Sequence, residues 1–208
     1  MSHLLHIDAS ARAKGSVSRE IAATFRDGWT GTVSHRDLGA EPLPHLSGSA
    51  INSRWSPADQ HSAEERAAAA LQDALVDELL AADAYLFAVP MYNYGVPSTF
   101  KAWLDHVLIV GRTVGVAETP VAGRPATLVL SKGGGYRPGT PREGWDYAEP
   151  YLRRILGEVL GLDLHVIAAE LTLADTTPAM ADLRGLAAES LAAAHAAAGA
   201  RVRSLAAA

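Results

Sequence analysis

The stretch "AYLFAVPMYNYGVPSTFKAWLDHV" (residues 84–107) decides the fold. Residues 84–90 are apolar at odd and even positions alike, as a strand covered on both faces must be. Phe100, Trp103, Leu104, Val107 and, one residue on, Leu108 follow the i, i+3, i+4, i+7, i+8 spacing of a helix that buries one side. Between them, Pro90-Met91-Tyr92-Asn93-Tyr94-Gly95-Val96-Pro97 places two aromatic rings and an amide where strand gives way to helix. A turn that only reverses the chain is usually built from small polar residues.

The same alternation extends in both directions. "HLLHID" (3–8), "TVSHRDL" (32–38), "ATLVLS" (126–131) and "LHVIAAE" (164–170) read as further strands, the second of them edge-like. Helices are expected over 16–29 and 147–161, from Ser56-Pro57 as cap and first turn, and from Thr177-Pro178 with a stripe of Met180, Leu183, Ala187 and Leu191, fraying at 201–208. Alternating strands and helices imply right-handed crossovers and a parallel sheet between two helical layers. Five strands suit a flavodoxin-like, three-layer α/β/α fold of strand order 2-1-3-4-5, one domain over residues 1–208. Such a sheet binds its ligand at the carboxyl ends of the strands, where the order changes direction.

Composition narrows the function. The 208 residues carry a formal charge of −5, which argues against nucleic acid, since phosphate backbones require a concentrated basic face. There is no cysteine, so disulfides, thiolate metal sites and a catalytic thiol are excluded. "MSHLLHIDAS" lacks the basic start of a secretory leader, and no apolar run nears the ~18 residues of a membrane span; a cytoplasmic location is expected. His3 and His6 point to opposite faces of their strand and the other histidines are dispersed, so no metal site is expected. No G-x-S-x-G hydrolase elbow is present.

Three loops at strand ends carry the candidate chemistry. "DASARAKGSVS" (8–18) places Ser10, Ser16 and Ser18 in the spacing S-x5-S-x-S, with Arg12 and Lys14 nearby. It lacks the glycines that let a backbone approach a bridging pyrophosphate, but hydroxyls beside a helix N-terminus suit a terminal phosphate; they equally suit a helix cap. Met91–Tyr94 offer flat walls, and Asn93 a donor and an acceptor, to a planar heteroaromatic ring; the alternative is a rigid proline-bounded turn packed in an interface. Ser131-Lys132-Gly133-Gly134-Gly135-Tyr136 lets the backbone pass close to something flat, or is simply a flexible loop.

Taken together, these motifs resemble those of the FMN-dependent NADH:quinone oxidoreductases known as azoreductases, over nearly the whole chain. The resemblance implies FMN as cofactor and NADH or NADPH as co-substrate, with a quinone or other aromatic compound as electron acceptor. It implies that Ser10, Ser16, Val17 and Ser18 contact the phosphate, and that Met91, Tyr92, Asn93, Tyr94, Ser131, Lys132, Gly133 and Gly134 hold the ring. No obligatory catalytic acid or base is implied; Asn93, Gly133, Gly134 and Tyr136 are the candidates nearest the flavin. Tyr136 stands where the family often has His, and residues 111–124 look shorter than the family's lid. A homodimer is implied as well, with Trp55, Tyr92, Tyr94, Val114, Val116 and "VLIV" (107–110) near the shared edge. The alternatives are a pathway-specific flavin or polycyclic-quinone reductase and, from another class, a flavodoxin-like electron carrier.

Overall fold

The computed structural model describes residues 2–207. Five parallel strands, β1 (His3–Asp8), β2 (Thr32–Asp37), β3 (Ala84–Pro90), β4 (Pro125–Ser131) and β5 (Asp163–Ala169), form one sheet in the order β2-β1-β3-β4-β5. The strand order is therefore the expected one. Every residue of β3 is buried, as its two-sided apolar pattern requires. β2 lies at the edge and stays half exposed.

Helices α1 (Val17–Asp27), α2 (Gly48–Asn52), α3 (Ala63–Ala81), α4 (Ser98–Val107), α5 (Ala148–Leu152) and α6 (Arg184–Ala206) connect and cover the strands. The sheet separates two cores. On one face Tyr85, Phe87, Phe100 and Trp103 pack with Leu75, Leu79 and Leu128 against α3 and α4. On the other, Leu4, Leu86 and Val129 meet Ile21, Ala22 and Phe25 of α1 and Ala194, Ala198 and Val202 of α6. Each fully buried Leu or Phe contributes about 1.5–3 kcal/mol.

Three expected boundaries differ. Ser56-Pro57 opens only a 3-10 turn (Ala58–Gln60), and α3 begins six residues later than that cap would place it. There Ser62 and Glu65 form a complete capping box: the Glu65 N–H donates to Ser62 Oγ (3.2 Å), and Glu65 Oε2 accepts from the Ser62 N–H (2.8 Å). A box that satisfies two otherwise free N–H groups wins over a lone serine. Beyond α5 the chain widens into a π-helix (Arg153–Val159) before Gly161 stops it at φ +72°. Pro178–Leu183 is a 3-10 turn, and α6 buries its small residues Ala194, Ala198 and Val202 and not the stripe from Met180 to Ala187. It continues to Ala206 instead of fraying at 201.

"VLIV" also differs. Val107 and Ile109 belong to the core and Leu108 packs against it, leaving Val110 alone exposed.

Candidate functional site

The strand order reverses between β1 and β3, and the connections that follow them lead to helices on opposite faces of the sheet. A cleft of about 220 Å³ opens at that point, lined by Ser10, Arg12, Ser16 and Val17 from the loop after β1, by Pro90, Met91 and Tyr92 after β3, by Ser131 and Gly133 after β4, and by Thr172 and Leu173 after β5. A larger cavity of about 530 Å³ lies between the loop after β4 and the start of α6. It lacks the paired hydroxyls and the α1 terminus, so the smaller cleft is the candidate site.

The serine loop after β1 leaves the helix that follows it without a side-chain cap. Ser16 is the N-cap of α1, yet its side chain caps no N–H; its Oγ lies 3.3 Å from Ser18 Oγ instead, and both residues are buried. The first-turn N–H groups of an 11-residue helix thus face the cleft without a side-chain acceptor, the arrangement that draws an anion. Gly15 takes φ +64° to deliver the chain into the helix. The Arg12 N–H donates to Ser10 Oγ (3.2 Å).

Arg19 holds the loop from behind. Its guanidinium donates to Asp8 Oδ2 (2.9 Å), to both oxygens of Asp37 (2.8 and 2.5 Å) and to the Ser10 carbonyl (2.8 Å). Burial alone would raise the pKa of Asp8; the hydrogen bond from His35, the His6 imidazole 3.4 Å from Oδ1 and the charge of Arg19 outweigh it and hold the group well below the usual carboxylate range. Asp37 is lowered first by its bonds to Arg19.

The aromatic turn after β3 is tight. The Tyr92 N–H donates to the Gly95 carbonyl and the Gly95 N–H to the Tyr92 carbonyl, both at 3.0 Å, with Asn93 at φ +48° and Tyr94 at φ +67°. Two successive left-handed residues inside such a pair make a type I′-like turn. Asn tolerates that conformation; Tyr94 holds it at a cost of order 1 kcal/mol. The Tyr92 hydroxyl accepts from the Ala11 N–H (3.2 Å) and lies 3.3 Å from Ser10 Oγ, joining this turn to the serine loop.

The predicted residues divide in two. Ser10, Ser16, Val17, Met91, Tyr92, Ser131 and Gly133 line the cleft; Ser18, Asn93, Tyr94, Lys132, Gly134 and Tyr136 do not. Ser18 lies directly behind Ser16. Tyr94 meets Tyr136 edge-on at 6.4 Å and Trp145 at 5.4 Å, so these three rings join the loops after β3 and β4 at the cleft's flank. Lys132, only 4% exposed, turns away into a cage of carboxylates: Nζ lies 2.6 Å from Asp146, 2.7 Å from Glu149 and 3.8 Å from Glu170. Burial would depress this ammonium, but its bonds to Asp146 and Glu149 outweigh that and raise its pKa. The lysine therefore anchors the glycine loop, while the backbone beside it faces the cleft.

Thr172 and Leu173 were not legible in the sequence as site residues. Their N–H groups donate to the carbonyls of Lys132 (3.1 Å) and Gly133 (3.2 Å), and the Leu171 N–H to that of Gly134 (3.2 Å). With its carbonyls occupied, the glycine loop keeps its N–H side as a donor face. Trp55, expected near this edge, is 74% exposed and borders a separate depression with Asn52, Gln60 and Glu65.

A family model described as a flavodoxin-like fold matches residues 2–202. A relative from Streptomyces avermitilis, "FMN-dependent NADH:quinone oxidoreductase", is 45% identical over 212 residues, covering 99% of this chain and 98% of its own. A protein of the same name from Frankia casuarinae is 44% identical, covering 98% and 99%. The chain belongs to this family. Among solved structures, an FMN-dependent NADH-azoreductase from Bacillus anthracis in complex with FMN superposes with a TM-score of 0.82, covering 99% of each chain at 18% identity. A likeness at that identity supports the fold. Among the described residues, no helix is long and apolar enough to cross a membrane.

Proposed function

We propose that the chain is an FMN-dependent oxidoreductase that carries electrons from NADH to a quinone or azo acceptor, and that the cleft at the ends of β1 and β3 is its flavin seat. The observation that carries this reading is the uncapped N-terminus of α1 opening beside Ser10 and Ser16 at the sheet's switch point. The donor set suits a phosphate monoester: hydroxyls of Ser10 and Ser16, the first-turn N–H groups of α1, and the cation of Arg12. Bound FMN supplies a ring system that takes up two electrons from a nicotinamide and passes them on.

The protein's residues position and polarise. Met91, Tyr92 and Leu173 are the apolar walls, and the backbone N–H of Gly133 favours negative charge on a ring edge held against it. Tyr94, Tyr136 and Trp145 flank the mouth, where NADH and acceptor must enter in turn. No side chain in the cleft is required as an acid or base. The exposed Val110, Trp145 and Tyr147 support a homodimer in which a second copy walls the mouth.

The test is direct. Heat-released cofactor should chromatograph as FMN, the bound spectrum should bleach under anaerobic NADH, and a quinone should restore it. A protein that binds FAD in place of FMN, or no flavin after reconstitution, overturns the reading. Light scattering should return twice the chain mass; a fully active monomer removes the dimer from the proposal.

A further inference from the structure

The other notable cluster lies behind the serine loop, on the face of the sheet that meets α1. His6 of β1 and His35 of β2 are register partners in the parallel pair, and Asp8 stands two residues beyond His6 on the same face. Sequence spacing alone separates these residues; the register brings them together and overturns the expectation that the histidines are dispersed. The two imidazole centroids lie 4.6 Å apart. Asp8 Oδ1 is 3.4 Å from His6 Nε2, and Asp8 Oδ2 is 2.9 Å from His35 Nε2.

The polar atoms are poorly satisfied. His6 is 1% and Asp8 4% exposed, yet His6 Nδ1, His6 Nε2 and Asp8 Oδ1 have no hydrogen-bond partner. Buried polar atoms are nearly always paired, and three orphans in one cluster point to a missing group. That group must accept lone pairs from an imidazole nitrogen and a carboxylate oxygen together, which a cation does. The charges agree. Asp8 and Asp37 are two carboxylates around the single guanidinium of Arg19, leaving an uncompensated negative charge.

We infer that His6, Asp8 and His35 form a binding site for a divalent cation of the zinc class. One ligand atom from each residue falls within a 4.8 Å cluster. Two imidazoles and one carboxylate are a ligand set that zinc accepts, with water completing the tetrahedron. Arg19 engages Asp8 through Oδ2 and leaves Oδ1 for the ion. An ion shared by His6 Nε2 and Asp8 Oδ1 removes two of the three orphans. Entry is over the sheet edge, where the His35 side chain is 39% exposed. The site is distinct from the flavin cleft and independent of the flavin reading: none of its three residues lines that cleft.

The experiment uses untagged, flavin-loaded protein stripped with a chelator and titrated with Zn²⁺ against a chromogenic zinc indicator. Wild type should take up one equivalent per chain. His35→Gln, at a partly exposed position that leaves the core intact, should lose more than the roughly 10–100-fold that removal of an outer-shell partner costs. His45→Gln, at an exposed histidine outside the cluster, should bind as wild type does. X-ray absorption at the zinc edge should report two imidazole nitrogens and a carboxylate oxygen. Flavin content and Tm of each variant separate lost ligation from lost folding. The inference is overturned if wild type takes up no zinc at 100-fold excess over protein, or if His35→Gln binds as tightly as wild type.

Discussion

Gly39 tests how rigidly the serine loop is held. A Cβ at this position would lie 2.1 Å from the Ser10 carbonyl oxygen and 3.0 Å from an Arg19 guanidinium nitrogen. Ordinary contact begins near 3.4 Å, so Gly39→Ala forces a separation of about 1.3 Å (3.4 less 2.1) against backbone. Gly39 cannot simply retreat: its N–H donates to Asp37 Oδ1 (2.9 Å), and the Leu38 N–H beside it to the Asp8 carbonyl (2.8 Å). Ser10 must move, and its carbonyl then loses Arg19. Overpacking of this kind costs about 1–3 kcal/mol. At roughly 2–4 °C per kcal/mol for a chain of this size, Tm should fall by about 2–12 °C. Displacing Ser10 by that distance also removes its hydroxyl from a bound phosphate. Losing one hydrogen bond to a charged group is worth about 1.5–3 kcal/mol, or roughly 10–100-fold in the Kd for FMN. Scanning calorimetry and quenching of flavin fluorescence read the two effects. Gly48→Ala, with nothing within 4 Å of the new methyl and a helical backbone, is the control: it should leave FMN affinity unchanged and should not lower Tm. A Gly39→Ala protein with wild-type Tm and FMN affinity would refute the coupling of this glycine to the loop.

Ser16→Asp should leave Tm unchanged or higher, because Asp is a strong N-cap, while weakening FMN at least about tenfold by setting a carboxylate against a dianion; undiminished affinity would reduce the loop to a cap. Lys132→Met leaves Asp146, Glu149 and Glu170 facing one another, and should cost stability toward the lower end of the about 3–5 kcal/mol for breaking a buried pair, since Glu149 is partly exposed; denaturant unfolding measures it, and Lys132→Arg should recover part. Asp8 and Asp37 have folded pKa values below their unfolded ones, so their stabilisation is complete above about pH 4 and is lost as pH falls toward the folded values. Arg19→Gln raises those folded values, and its acid-unfolding midpoint should move to higher pH; an unmoved midpoint would show that Arg19 is not what keeps the two carboxylates ionised.

What the sequence disclosed follows from the range of the interactions involved. The two-sided strand at 84–90 and the serines at 10, 16 and 18 are local patterns, readable because burial on both faces and a helix N-terminus each act over a few residues. Lys132 was misplaced because glycine neighbours mark it as loop, whereas its partners Asp146, Glu149 and Glu170 come from three distant positions. Thr172 and Leu173 reach the cleft only through the pairing of β5 with β4, and His35 meets His6 only through the β1–β2 register. The face of α6 was missed for another reason. In an alanine-rich helix the side that packs closest is the side with the smallest residues, and a search for bulky stripes selects the wrong one.

The Tyr92 hydroxyl on the Ala11 N–H has one more consequence. It occupies a loop donor with an oxygen supplied by the chain itself, so the loop after β1 keeps its shape with no anion present. The ordering entropy is therefore spent in folding, and ligand capture becomes an exchange of one oxygen for another rather than the freezing of a mobile segment. Phenylalanine at position 92 would leave the walls of the cleft standing and remove this internal stand-in, making the loop wait for its guest.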